Sequence, residues 1–337
     1  MKLMQGAILF MMILFFMMSM PGIGIEASPL SVPDPLERAK QATVGVLRHA
    51  ADSSHHSTQS QFAIRGSGFH IGDGYIVTAR HAVERREGSK AKIPEYISII
   101  TSQLTEYSAE LIGVNGFLDL ALYRIHFKQA ESTLPFFSFG EDESRQGDEV
   151  FTIGYPLGWG PALAFGRLGN LRTFLPTAQT RLMQVDLSAC SGNSGGGLFN
   201  TQGDVIGLVH AIIQSETKEN ERRCSRFAFA VPGVMVQKIV EELQAGKSFS
   251  FPKLGIRMTV VKVAQQWRVA VAKAKGPARD AGIHKHDVLL SINEQPITSA
   301  SQLKSYLIEH TVPGQIIELR VLRGDSEKIL KVTLGSV

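Results

Sequence analysis

Three residue types that together perform acyl transfer lie far apart in this chain, each in a distinctive local setting. Ser194 sits in the run Asp186–Leu198, with Gly192 before it and Gly195, Gly196 and Gly197 after it. A polar stretch leads in, and an apolar one (Leu198, Phe199, then Val205 to Val209) leads out. Glycine reaches backbone angles closed to other residues, so a glycine-rich turn can aim several N–H groups at one small volume. A nucleophilic serine needs such a turn. Its hydroxyl must be exposed, and donors must face the place where a carbonyl oxygen becomes an oxyanion. The oxyanion turn is Gly192, Asn193 and Ser194, with the N–H groups of Gly192 and Ser194 as donors and Asn193 between them. Alone, the turn reads equally well as a polar loop or a phosphate-binding turn.

A base and an orienting carboxylate elsewhere change that balance. Tyr75 to Ala79 is an apolar, strand-like run that leads through Arg80 to His81. Gly116-Phe117-Leu118 leads to Asp119, which opens the alternating segment Leu120 to Ile125. A histidine after a strand is ordinarily packed or exposed without a role, and an aspartate before a strand is ordinarily a turn residue. Together with Ser194 they define a chemistry. Ser194 attacks a carbonyl, His81 takes its proton and later passes it to the leaving amine, and Asp119 fixes the imidazole tautomer.

With these residues in view, the sequence resembles the trypsin-like serine proteases of the HtrA/Deg family. The resemblance is carried by Gly66-Ser67-Gly68-Phe69, Thr78-Ala79-Arg80-His81, Asp119-Leu120-Ala121, Ile153-Gly154-Tyr155-Pro156-Leu157-Gly158 and Gly192-Asn193-Ser194-Gly195-Gly196, in that order. It covers about residues 40 to 245. Downstream, Gly276 to Ile283, His286 to Asn293 and a helix over Ser301 to Ile308 resemble a PDZ domain of bacterial protease type.

The resemblance implies a mostly β fold: two six-stranded antiparallel barrels, then a small α+β PDZ domain. It places a carboxylate-binding loop at Leu254, Gly255 and Ile256, where a peptide C-terminus would add a strand to a sheet edge. A primary specificity pocket would have Ser188 at its base and walls from His210 and Ala211 or from Arg226 and Ala228. A small neutral base suits small or medium apolar side chains. Cys190 and Cys224 match the offsets of a disulfide that ties the walls of this pocket in trypsin-like enzymes; most HtrA relatives lack it. Free thiols are the alternative. Digestive proteases carry an aspartate where this chain has Asn193. Asn193 has no charge for a new N-terminus to pair with, so activation by N-terminal cleavage is not expected. The implied substrates are unfolded or damaged proteins, and the family's trimer is a possible assembly.

The elements that must position these residues are short. Apolar runs broken by Gly and Pro recur from Thr43 to Val231, which favours antiparallel barrels over βαβ units. Examples are Ile97 to Thr101, Glu149 to Gly154, Gly166 to Leu171, Arg181 to Leu187 and Val205 to Ile213. Gly72-Asp73-Gly74 joins two of them as a hairpin. Val234 to Leu243 has helical spacing and closes the barrel region. The domain boundaries follow: a signal peptide or anchor over 1–27, a flexible leader over 28–37, the protease domain over 38–245, a linker over 246–252 and the PDZ domain over 253–337.

The chain has 337 residues, enough for two domains, with 44% hydrophobic residues, 32 glycines and a net charge of +4. The charge is spread, without a basic run, so nucleic acid is not an expected partner. Two cysteines make no disulfide framework. Lys2, the apolar run Ala7–Met18 and small residues at Gly22, Gly24 and Ala27 have the form of a secretory signal. Export to a bacterial periplasm or the medium is expected, with an uncleaved inner-membrane anchor as the runner-up. No cofactor or metal is implied; His55 and His56, in a serine-rich loop over 51–60, read as surface residues.

Two other functions fit parts of the sequence. One is a catalytically weak binding or chaperone-like protein that acts through its PDZ domain. The other is an esterase, since Gly192 to Gly196 also fits a nucleophile elbow. An elbow needs a helix after the serine, and the segments after Ser194 read as strands.

Overall fold

The computed structural model describes residues 35–47, 64–87, 90–127, 134–140, 144–173, 181–212, 224–247 and 249–336. The signal or anchor segment, the leader up to residue 34 and the His55-His56 loop lie outside these residues.

The first barrel is built from β1 (Thr43–Leu47), β2 (Ile64–His70), β3 (Tyr75–Ala79), β6 (Tyr96–Thr101), β7 (Glu106–Asn115) and β8 (Leu120–Ile125), closed in the order β1-β2-β3-β8-β7-β6. A short ribbon, β4 (Arg85–Glu87) with β5 (Lys90–Lys92), projects after β3. The second barrel contains β9 (Glu149–Gly154), β10 (Ala162–Thr173), β11 (Leu182–Cys190), β12 (Gly197–Asn200), β13 (Val205–Ile212) and β14 (Cys224–Pro232), closed in the order β10-β11-β14-β13-β12-β9. The number of strands and their antiparallel closure match the expectation. β10 is longer than the expected Gly166 to Leu171, because its first half pairs with β9 and its second half with β11.

A further difference lies at the start. Helix α1 (Pro35–Ala42) begins inside the segment read as a flexible leader. Proline suits a first helical position. Ala39 and Ala42 are fully buried, and the Thr43 hydroxyl donates to the Ala39 carbonyl at 2.8 Å. The helix therefore belongs to the core of the protease domain.

Where the barrels meet, Phe69 of β2 packs edge-on to Phe199 of β12 at 6.5 Å, and Phe199 in turn lies tilted against Phe137 at 4.3 Å and stacks on Phe151 at 5.1 Å. Burial of each such side chain contributes about 1.5–3 kcal/mol. This cluster fixes the cleft in which the ends of β3, β8 and the turn before β12 converge.

Helix α3 (Gly233–Gln244) seals the barrels with Met235, Val236, Ile239, Val240 and Leu243. The C-terminal domain follows. Its sheet runs β16 (Ile256–Val263), β17 (Gln266–Ala274), β18 (Val288–Ile292), β20 (Ile316–Arg323), β21 (Ser326–Thr333), with β19 (Gln295–Pro296) beside β18. Its helices are α4 (Pro277–Asp280) and α5 (Ala300–His310). β15 (Pro252–Lys253) pairs with β22 (Gly335–Ser336), so the domain's two ends are tied together. Among the described residues, no helix is long and apolar enough to cross a membrane.

Candidate active site

His81 lies on α2 (Arg80–Val83), a single turn at the end of β3. Asp119 immediately precedes β8, which pairs with β3. The Asn115 side chain builds the turn before it by accepting from the N–H groups of Phe117 at 3.0 Å and Leu118 at 2.9 Å. Asp119 itself takes a left-handed backbone conformation (φ 55), which aspartate tolerates better than most residues. One carboxylate oxygen, Oδ1, accepts from the His81 N–H at 3.0 Å. The other, Oδ2, is bonded to His81 Nδ1. The ring and the backbone of His81 are thus both held by one side chain, and the His81 side chain is 46% exposed.

A third group meets the same carboxylate. His210 Nδ1 lies 3.3 Å from Asp119 Oδ2, and the two imidazole rings sit edge to face at 6.1 Å. The contact lacks hydrogen-bond geometry; His210 Nδ1 is buried with no hydrogen-bond partner. Burial by itself would raise the Asp119 pKa. The closeness of His210 and His81 outweighs it and holds the carboxyl well below the usual range. His210 was expected in a pocket wall; the β13 backbone instead turns its ring toward the carboxylate. His81, Asp119 and His210 are also the one group of side chains among the described residues whose atoms could together hold a metal ion.

Ser194 is brought to this place by backbone bonds. The Ser67 N–H donates to the Ser194 carbonyl at 2.9 Å, and the Gly195 N–H donates to the Val209 carbonyl at 2.8 Å. Gly195 (φ +89) lies so close to the Ser67 carbonyl that no Cβ would fit. Ser67 is fully buried. Its hydroxyl donates to the Gly192 carbonyl at 2.6 Å and accepts from the Tyr155 N–H at 2.9 Å. Ser67 belongs to the Gly66-Ser67-Gly68-Phe69 motif, from which no task for it was expected. A lone hydroxyl between two glycines, just before Phe69, was the available signal. Asn193 was placed in the oxyanion turn, but its N–H is committed to the Cys190 carbonyl at 3.0 Å and its Oδ1 accepts from the Cys190 N–H at 3.0 Å. It braces the turn from within.

The Leu157 N–H donates to the Ser191 carbonyl at 2.7 Å. In a trans peptide the carbonyl and the next N–H point opposite ways, so the Gly192 N–H faces away from Leu157. Cys190 and Cys224 are opposite one another in the β11–β14 ladder and are joined as a disulfide. Ser188 is exposed on β11, and Arg226, exposed on β14, pairs with Asp186 at 3.0 Å. Ala228 is buried, and the Ala211 backbone pairs with Phe229.

In the C-terminal domain the carbonyls of Leu254 and Gly255 accept from Ala278 at 3.0 Å and Lys275 at 2.8 Å. The N–H groups of Gly255 and Ile256 therefore point the other way. There, a cavity of about 230 Å³ lies between the edge strand β16 and α5, lined by Leu254, Ile256, Met258, Leu303 and Leu307, with Phe117 of the first barrel at its side.

A double barrel with a His–Asp pair and a glycine-bound serine at its cleft defines the trypsin-like peptidase class. Comparison with known proteins agrees. Residues 66–208 match the trypsin-like peptidase domain family, and residues 252–334 match the PDZ domain family. The chain is 32% identical over 285 residues to a "Probable periplasmic serine endoprotease DegP-like" of Ectopseudomonas mendocina (strain ymp), covering 81% of this chain and 56% of that protein. It is 26% identical over 341 residues to "Serine protease Do-like HtrA" of Bacillus subtilis (strain 168), covering 90% of this chain and 72% of that protein. Among solved structures, a serine endoprotease from Yersinia pestis aligns with a TM-score of 0.60 at 27% identity, covering 92% of this chain and 99% of that one. The HtrA-type protease AlgW with tripeptide shares the fold with a TM-score of 0.69 at 24% identity, covering 90% and 96%. The chain thus carries a trypsin-like peptidase domain followed by a PDZ domain and is similar to serine proteases of the HtrA/Deg family. It spans about half the length of several of the curated relatives it matches, such as the 56% of the Ectopseudomonas protein.

Proposed function

We propose that the chain is an exported serine endopeptidase that cleaves unfolded or damaged proteins and recognises peptide C-termini through its PDZ domain. The observation that carries this reading is Asp119, whose two oxygens hold the backbone N–H and the Nδ1 of His81. An imidazole fixed in that tautomer presents Nε2 as a base, and Ser194 is the nucleophile within its cleft. The developing oxyanion is bound by the N–H groups of Gly192 and Ser194. The orientation of the Ser191–Gly192 peptide supports this, and the commitment of the Asn193 N–H elsewhere narrows the donors to those two. Export follows from the N-terminal pattern and from the periplasmic naming of relatives.

The primary pocket, between Ser188 and the β13–β14 wall, takes small or medium apolar side chains, because Arg226 is turned outward onto Asp186. At the PDZ groove, a peptide adds to β16, its carboxylate on the Gly255 and Ile256 N–H groups and its last side chain on Leu303 and Leu307. Casein digestion and fluorophosphonate labelling of wild type beside Ser194→Ala test the reading. Wild type should digest and label at Ser194, and the variant should do neither. Digestion by Ser194→Ala at the wild-type rate would remove the assignment.

A further inference from the structure

We propose that His81 Nδ1, Asp119 Oδ2 and His210 Nδ1 form a binding site for a divalent cation of the Zn²⁺ class, and that its occupation switches the catalytic triad off. The switching rests on the triad reading above; the binding does not.

His210 Nδ1 is the first observation. It is buried, has no hydrogen-bond partner and stands 3.3 Å from an anionic oxygen. A cation placed between this nitrogen and the carboxylate would attract both. The second observation is convergence. The ligand atoms of His81, Asp119 and His210 all lie within 4.8 Å of one another. Tetrahedral zinc, with bonds of about 2.0–2.1 Å, sets its ligands roughly 3.3 Å apart. The His210–Asp119 pair already has this separation, and the His81 ring has only to withdraw slightly from the carboxylate. That ring is 46% exposed, so it has room to move and leaves an entry path.

The neighbouring charges are compatible. Arg80 Nε lies 3.7 Å from Asp119 Oδ1, and its Nη1 is bound to Glu84 at 2.7 Å. The guanidinium thus occupies the side of Oδ1 and leaves Oδ2 to the cation. Two imidazoles and one carboxylate are a donor set suited to zinc. Solvent completes the fourth position.

The chemistry of inhibition follows from proton placement. To bind a cation through Nδ1, the neutral His81 ring must change tautomer: the Nδ1 proton passes to solvent and Nε2 takes one up from solvent, so that the single imidazole proton sits on Nε2. Nε2 can no longer accept the proton of Ser194. No bond to carbon forms or breaks and nothing is oxidised. Binding and catalysis are therefore mutually exclusive.

The test uses the full chain. Titrate ZnCl₂ calorimetrically into Ser194→Ala, with and without His210→Ser or His210→Gln. Loss of even an outer-shell partner weakens metal sites by about 10–100-fold, so each His210 variant should weaken binding at least tenfold. In parallel, the fluorophosphonate labelling rate of protein with Ser194 intact is measured with and without Zn²⁺, each variant against its own metal-free rate. Wild type should be inhibited and restored by a chelator, and the His210 variants should resist. Absence of Zn²⁺ binding, or equal Zn²⁺ affinity and inhibition in folded His210 variants, would overturn the proposal. His210-dependent Zn²⁺ binding to a protein that labels in no condition would uphold the site and instead remove the triad reading.

Discussion

Arg181 and Glu309 form an ion pair that joins the second barrel to the PDZ helix α5. Arg181 Nε lies 2.7 Å from Glu309 Oε1, and the side chains are 10% and 8% exposed. The Arg181 N–H also donates to the Ser305 hydroxyl at 2.9 Å. From α3, Lys238 Nζ donates to the carbonyls of Ile308 at 3.0 Å and Thr311 at 3.2 Å, at the negative end of α5. Removal of one partner from a buried pair costs about 3–5 kcal/mol, because the other charge stays buried alone. Arg181→Ala should therefore loosen the two domains. Its unfolding should split into two transitions, and proteolysis within 246–252 should accelerate. A single transition at the wild-type temperature would contradict this.

The hydrolytic machinery makes a graded prediction. Ser194→Ala and His81→Ala should abolish peptide hydrolysis with the fold kept. Asp119→Asn should lower kcat by about 10⁴-fold, since it presents the wrong tautomer. Ser67→Ala should act differently. It strips the Gly192 carbonyl and the Tyr155 N–H of a buried partner, a cost of about 1–3 kcal/mol. We expect a lower kcat with KM little changed, because the disturbed group is the proposed oxyanion turn. A Ser67→Ala enzyme with wild-type kcat would separate Ser67 from that turn.

Acid should destabilise the first barrel through His70. This residue is buried; its Nε2 accepts from the Gly74 N–H at 3.0 Å, so Nδ1 carries the proton and donates to the Pro135 carbonyl at 2.9 Å. Burial pulls its pKa down, against the backbone carbonyls that pull it up. The unfolded chain, with an ordinary histidine pKa of about 6.5, then binds the proton more readily than the folded one. Stability is complete above that pH and is lost as pH falls from it toward the lower folded value. Melting temperatures across this range should fall in wild type and stay flatter in His70→Gln. Parallel curves would remove His70 as the cause.

The Cys190–Cys224 bridge should matter more to substrate choice than to the fold. It closes the end of the β11–β14 ladder, which continues to Met183 opposite Ala230 without it. A bridge of this kind contributes about 2–4 kcal/mol through the unfolded chain. The Cys190→Ser, Cys224→Ser double variant should melt somewhat lower and show a raised KM or broader cleavage specificity. A non-reduced digest that yields two separately alkylated peptides from wild type would withdraw the bridge.

The PDZ groove should distinguish a free carboxylate from its amide. Peptides with an apolar last residue should bind by calorimetry, and C-terminal amidation should weaken them at least about tenfold, the loss of a charge-assisted bond of roughly 1.5–3 kcal/mol. Leu307→Ala should weaken both. Equal affinity for acid and amide would place recognition away from Gly255 and Ile256.

The sequence by itself determined the class of fold and pointed to the chemistry proposed for it. The Gly192 to Gly197 turn, the strand that leads to His81 and the segment that Asp119 opens are local signals. Glycine content and apolar alternation dictate the turn and the strands whatever surrounds them. The bonding of Cys190 to Cys224 was open until the register of β11 on β14 set them opposite each other. Tertiary structure alone decided the rest. That His210 faces Asp119, that the Ser67 hydroxyl binds the Gly192 carbonyl, that Arg181 meets Glu309 and that α1 belongs to the core all depend on contacts between distant segments. In Arg181–Glu309 the partners are 128 positions apart, and in Ser67–Gly192 they are 125 apart. No periodicity or motif encodes such meetings. They arise only when barrel closure fixes which side chains share a low-dielectric space, and there an unpaired charge or hydroxyl costs too much to be left alone.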